Sequence, residues 1–343
     1  MVSTFDETEI QYLNLKDFTF EDGTTLSSVR LAYQEFNPTG QKVALIPTCF
    51  LGRIKDTMHF TNGALRNHRV IVVGLLGGGE SASPSNTPDF PSQIDYRDCV
   101  RAQYELIKDH LQIDFLDVVL GFSMAGQNAY YWLALYPQMI HNAIIICSAA
   151  KTSLYNYQLL EGPKHALLSS VDYNTSFQSL GTQPIRGLHA FAQAFSACVA
   201  SAEWFEERMF EKCGHKTLGD WAAAEEKDLD DWHPHDLLAM LGMWQRADLS
   251  AVVRGTSNST LSIEESLCTL NNRVLLMPCR TDQYFRWEAS EREASYLQNG
   301  ELVVIPSIWG HMAGGGSNQT DDEWMDDRID KFLNHDVSGP ATD

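Results

Sequence analysis

The chain has 343 residues, of which 44% are hydrophobic and 20% charged, and a formal net charge of −20. That length can bury one large core, or a core with a smaller insertion. A surface this acidic repels phosphate backbones and anionic lipid, so nucleic-acid and membrane-surface roles are excluded from the expectation, and coenzyme A is disfavoured without a local basic patch.

In chain order, Phe18 to Phe20 and Leu26 to Tyr33 flank a turn that starts at Glu21-Asp22-Gly23 and predict an opening hairpin. Val43 to Ile46, Val70 to Val73, Val118 to Leu120 and Ala143 to Ile146 are short, almost wholly apolar runs, as are Val274 to Met277 and Leu302 to Ile305. Strands buried on both faces of a helix-covered parallel sheet read this way. Helical patterns lie between them. Val100, Tyr104, Ile107 and Leu111 repeat on one helix face within Asp95 to Leu111, with Asp95 as N-cap. Gln127 to Tyr136 reads as a helix stopped by Pro137, and Arg286 to Gln298 as another. Alternating strand and helix predicts a doubly wound α/β sheet. From about Lys151 to Ser266 strand-like runs vanish, and His189 to Glu207, Leu218 to Asp230 and Leu237 to Gln245 read as helices. Arg254 to Ser262 is a polar loop, and the tail after Phe332 has the composition of an unstructured segment.

No apolar run approaches the roughly 20 residues that span a bilayer. The opening MVSTFDETEI has neither the basic nor the apolar part of a secretory leader. Seven scattered cysteines, several in apolar segments, fit buried thiols in a reducing cytoplasm.

The chemistry centres on Gly121-Phe122-Ser123-Met124-Ala125-Gly126, set between a strand and a helix. Small residues at 121 and 125 let the turn close sharply enough to push Ser123 out above the sheet. A serine nucleophile needs a base and an acid that orients it. Asp282 follows the strand 274–277 and His311 follows the strand 302–305, so both fall on the sheet edge that carries Ser123. Singly, an Asp after a strand is a turn residue; together and in this order the three read as nucleophile, acid and base. The oxyanion hole needs two backbone N–H groups. Met124 supplies one, and the loop Pro47 to Gly52 the other, from Phe50 or alternatively Cys49. Neither Gly74 to Glu80 nor the cluster Trp232 to Asp236 has the spacing of a dinucleotide or metal site, so no cofactor and no metal are expected.

Asp95 to Gln103, Gly121 to Gly126, Thr281-Asp282, Gly310-His311 and Asp236 to Asp248 resemble the homoserine O-acetyltransferase-like branch of the α/β-hydrolase superfamily. Pro47-Thr-Cys-Phe50 and Ser83-Pro-Ser-Asn86 look closer to fungal hydrolases of secondary-metabolite and toxin biosynthesis. The resemblance implies an α/β-hydrolase fold, a mostly parallel sheet with a helical cap inserted before the last two strands. Residues 1–150 and 267–343 would form the core and 151–266 the cap. The chain departs from that branch in two places. Around Gly187 to Gln193 it carries Ala192 and Gln193 but not the arginine that serves the amino-acid carboxylate, and Phe122 replaces a second glycine.

The expectation is a serine-dependent hydrolase or acyl transferase on an ester, thioester or lactone of a polyketide-like or other secondary metabolite. The alternatives are an acetyl-CoA-dependent O-acetyltransferase, and a non-hydrolytic catalyst or binding protein on the same scaffold. Cys49, Phe122, Phe191, Trp244 and Trp309 are the expected substrate-binding residues, and Phe177, Phe195, Trp204, Phe205, Trp221 and Trp232 add aromatic surface in the cap. The partner is a small-molecule substrate, and a homodimer is compatible with the reading.

Overall fold

A computed structural model describes residues 9–57, 60–177, 181–253 and 261–334. The loop expected at 254–262 and the tail after 332 fall mostly outside these residues. One eight-stranded sheet runs β1 (Gln11–Thr19), β2 (Thr25–Phe36), β4 (His68–Val73), β3 (Lys42–Pro47), β5 (Leu116–Phe122), β6 (Ile140–Ile146), β7 (Arg273–Met277) and β8 (Gly300–Leu302) in spatial order. β1 with β2 and β2 with β4 are antiparallel, and every other pair is parallel. The apolar runs dictate this arrangement. Successive side chains of a strand face opposite ways. Leu45, Ile71, Val119, Ile145 and Leu276 therefore enter one apolar cluster, while Ala44, Val70, Val118, Ile144 and Leu275 enter a second on the other face.

Helices cover both faces. Asp95 caps α1 (Tyr96–Tyr104) in a reciprocal box with Asp98, and the expected helix to Leu111 instead finishes as a π-helical turn over Glu105–His110. α2 (Met124–Leu135) starts directly after Ser123 and is buried along nearly its whole circumference. Between β6 and β7 lie α3 (Leu154–Leu168), α4 (Ile185–Ser196), α5 (Ala202–Glu206), α6 (Leu218–Asp228), α7 (Pro234–Arg246) and α8 (Ile263–Cys268). α9 (Trp287–Ala294) joins β7 to β8, and α10 (Gln319–Asn334) follows. Among the described residues no helix is long and apolar enough to cross a membrane.

Four further elements differ from expectation. The helix expected at 189–207 is two helices, because residues 197–201 are held by the histidine loop. His311 N–H and Met312 N–H donate to Val199 O, and Ser201 Oγ donates to Ile308 O. The strand expected at 302–305 is shorter. Pro278 has no N–H to continue the β7 ladder, so beyond β8 only Ile305 pairs, in an isolated bridge with Cys279. The helix expected to reach Gln298 stops at Ala294, and α3, which tolerates Pro163, was not foreseen as a helix.

Candidate active site

The site is built where β5, β7 and the loop after β8 end together. Ser123 joins β5 to α2 with φ 57° and ψ −125°, a conformation that L-residues adopt only under constraint. The constraint is local packing. A Cβ on Gly121 would lie 2.1 Å from Ala125 O, and one on Gly126 would lie 2.5 Å from Ser148 Cβ. Ser123 N–H donates to Ile146 O at 3.0 Å, which ties the turn to β6. Ala125 is buried at the position where the sequence pattern favours glycine.

Ser123 Oγ lies 2.9 Å from His311 Nε2, and His311 Nδ1 lies 2.7 Å from Asp282 Oδ2. An ionised carboxylate only accepts, so Nδ1 carries the proton and Nε2 offers its lone pair to the serine hydroxyl. Asp282 is 1% exposed, and its other oxygen accepts from Tyr284 N–H at 2.8 Å and Phe285 N–H at 3.1 Å. Those bonds leave it one orientation. His311 is aimed by Gly310, whose φ of +62° and closeness to Ala200 (a Cβ would sit 2.8 Å from its Cα) admit no side chain. Chemically, this arrangement can withdraw the serine proton as the hydroxyl attacks a carbonyl.

The loop after β3 stands beside the elbow because β3 pairs with β5. Thr48 anchors it: its N–H donates to Val73 O and its hydroxyl accepts from Leu75 N–H. Gly52 N–H donates to Cys49 O, which leaves Phe50 at the tip of the turn. Among the described residues the N–H groups of Met124 and Phe50 donate to no other backbone group. Burial pushes the Cys49 thiol up to about 12, so it is a poor nucleophile. Cys147, Asp282 and His311 place ligand-type atoms within 4.8 Å of one another. The Asp282–His311 hydrogen bond leaves no room for an ion between those two, and burial holds the Cys147 thiol well above its ordinary range.

Aromatic rings wall the site. Phe122 lies over His311 at 4.8 Å, Phe285 stacks on it at 5.7 Å and Tyr284 meets it edge-on at 5.3 Å. Trp244 stacks on Phe285, and Phe50 packs against Phe191, Phe195 and Trp244. Phe122, Phe191 and Trp244 are thus brought together around the elbow. Cys49 lines an adjoining pocket of about 180 Å³ with Phe50, Gly52, Phe122 and Gly315. Trp309 lies elsewhere. It packs edge-on against Trp204 in the second apolar cluster, because its neighbour Ser201 is bonded to Ile308 O and draws α5 over that face. Tyr284 and Phe285 were missed, although two aromatics within three residues of the acid are a visible signal.

Outside this cage the lining changes character. A cavity of about 580 Å³ between the loop after β3 and helices α4 and α6 carries Arg53, Lys55, Asp56, Glu225, Lys227 and Asp228. Burial and the nearby Asp228 raise the Glu225 carboxyl to about 7. Ala192 is buried, Gln193 donates to Glu226, and Arg53 is committed to Gly78 O and stacked on Trp232.

Residues 46–314 match the family model described as alpha/beta hydrolase fold. An ethyl acetate hydrolase of Pseudomonas veronii is 25% identical over 346 residues, covering 96% of both chains. A homoserine O-acetyltransferase of Chloroherpeton thalassium is 24% identical over 90% of this chain and 85% of its own length. The crystal structure of an acetylester hydrolase from Corynebacterium glutamicum superposes with a TM-score of 0.87 at 22% identity, over 95% of this chain and 96% of that one.

Proposed function

We propose that this enzyme, which belongs to the alpha/beta hydrolase fold family and acts on esters as a hydrolase or acyltransferase, is a serine esterase that takes a short acyl group. The observation that carries the reading is the Ser123–His311–Asp282 relay, buried and fully hydrogen-bonded. Ser123 Oγ attacks the ester carbonyl while its proton passes to His311 Nε2. The carbonyl oxygen takes the negative charge, opposite the N–H groups of Met124 and Phe50. Collapse breaks the C–O bond, and His311 returns the proton to the departing alcohol. Water repeats the sequence on the acyl-enzyme and releases the acid. Asp282 holds the tautomer throughout.

An acetyl-sized acyl group is in keeping with the ester named for the Pseudomonas relative. The cage of Phe191, Phe195, Trp244 and Tyr284 supports a flat apolar alcohol. The polyketide-like or other secondary-metabolite substrate expected from sequence belongs to this alcohol half of the proposal. Homoserine is a poor acceptor on this reading, since Ala192 and Gln193 offer its carboxylate no charge and Arg53 is already engaged with Gly78 O and Trp232. A reducing cytoplasm suits the seven free thiols. The test compares p-nitrophenyl acetate, butyrate and decanoate, with and without acetyl-CoA and L-homoserine. The acetate ester should give the highest kcat/KM and homoserine should remain unmodified. Preference for decanoate, or efficient O-acetylation of L-homoserine, would refute the assignment.

A further inference from the structure

We propose that a third cavity, between the first turn of α3 and helix α9, binds a small organic carboxylate. It has a volume of about 430 Å³, large enough for a molecule of drug-fragment size. Its lining holds three cations, Lys151, Arg286 and Arg292, against one carboxylate, Glu288. In a chain of net charge −20 that concentration of positive charge is a local inversion. Lys151 is ion-paired to Asp248 and Arg286 to Glu288. The Arg292 guanidinium feels Glu288 and Glu293 electrostatically but makes no hydrogen bond or ion pair among the described residues, so its planar fork can take a carboxylate.

Asn156 is the second, independent observation. It lines the cavity, it is 1% exposed, and both amide atoms of its side chain lack a partner. An unpaired buried amide costs about 1–3 kcal/mol, and such a group in a native protein calls for a partner. Both atoms are covered by the cavity wall, so a ligand carboxylate accepting from Nδ2, with a ligand or water donor at Oδ1, would supply it once a small side-chain shift opens that wall. Asn156 N–H is bonded to Ser153 Oγ in the first turn of a 15-residue helix, so the helix dipole adds positive potential at the same place. The half-exposed Tyr155 ring, Phe285, Ala149 and Ala289 form apolar walls. The ligand is therefore one anionic head on a flat or compact apolar body, which inorganic phosphate does not match. Tyr284 and Phe285 form the inner wall, and the same two rings meet His311 on the catalytic side. Neither Ser123 nor His311 lines this cavity, so it is a site distinct from the catalytic one.

The experiment is calorimetric titration of sodium benzoate into the intact protein at low ionic strength and neutral pH. Saturable one-to-one binding is expected, retained after Ser123 is blocked with a fluorophosphonate and unchanged in Ser123→Ala. Arg292→Gln and Asn156→Leu should each weaken it at least about tenfold while the thermal transition of both variants shows them folded. Benzyl alcohol and inorganic phosphate should bind much more weakly. Absence of saturation, equal affinity in Arg292→Gln, loss of binding on blocking Ser123, or phosphate binding as tightly as benzoate would each overturn the proposal. The Arg292→Gln comparison holds whether or not Ser123 is the nucleophile.

Discussion

Glu293 lies on α9, buried, with its carboxyl accepting from Tyr130 Oη at 2.7 Å and Ala150 N–H at 2.8 Å. Removal from water dominates over those two bonds and over nearby Arg292, and raises the carboxyl from its ordinary 4.5 to about 7. The folded chain thus holds this proton more tightly than the unfolded chain. Below pH 4.5 both states are protonated and the group costs nothing. Between pH 4.5 and 7 the unfolded chain has released its proton while the folded chain keeps it, so stability falls as pH rises. Above pH 7 the loss is complete, about 3 kcal/mol for this shift. From pH 5 to 8 the change amounts to about 2–3 kcal/mol. With an unfolding entropy of about 0.7 kcal/mol/K for a chain of this length, that is about 3–4 °C in Tm. Glu293→Gln removes the titration but keeps both contacts, since the amide oxygen can accept from Ala150 N–H and the amide nitrogen can donate to the Tyr130 hydroxyl. Calorimetric scans of both proteins at pH 5, 6, 7 and 8 should show the variant gaining about 3–4 °C on the wild type across the series. Parallel curves would refute the reasoning, because they would mean that Glu293 keeps the same proton affinity folded and unfolded.

Three further outcomes follow from the elbow and the relay. Ser123→Gly should abolish esterase activity yet raise stability by about 1 kcal/mol, because glycine relieves the strain at φ 57°; chemical denaturation reads the gain, and a loss of stability would mean that the turn is unstrained. Gly121→Ala should destabilise by at least about 3 kcal/mol or prevent folding, since its Cβ would meet a backbone oxygen that cannot step aside; a soluble variant of wild-type Tm would contradict this. Asp282→Asn should keep its bonds from Tyr284 and Phe285 through the amide oxygen and turn an N–H toward His311 Nδ1. That reverses the tautomer and lowers kcat by about 10⁴, and p-nitrophenyl acetate turnover near the wild-type rate would show that another carboxylate orients His311.

The parts of this molecule that were legible in sequence are those with short-range signals. Apolar runs such as Val70–Val73 and Val118–Leu120 need no partner to declare themselves as strands buried on two faces, and Asp95 announces a helix start. Ser123, Asp282 and His311, which the fold brings within hydrogen-bond reach of one another, stood out as a set because each follows a strand, which fixes the edge of the sheet where its side chain emerges. What escaped depends on contacts between distant segments. The break at 197–201 exists because the His311 loop bonds to Val199 O, and no local residue in that stretch signals it. Trp309, two residues before His311, was expected at the substrate, but the turn of Gly310 sends it toward Trp204. The charged cavity joins residues from the loop after β3 to residues of α6 about 170 positions later, and only folding brings them together.

The central claim is that Ser123 is the nucleophile, activated by His311. It is tested most directly by labelling the protein with a fluorophosphonate and mapping the adduct by peptide mass spectrometry. One adduct, on Ser123, is predicted, absent in Ser123→Ala and formed far more slowly in His311→Ala. An adduct on any other residue, or labelling of His311→Ala at the wild-type rate, would contradict the account.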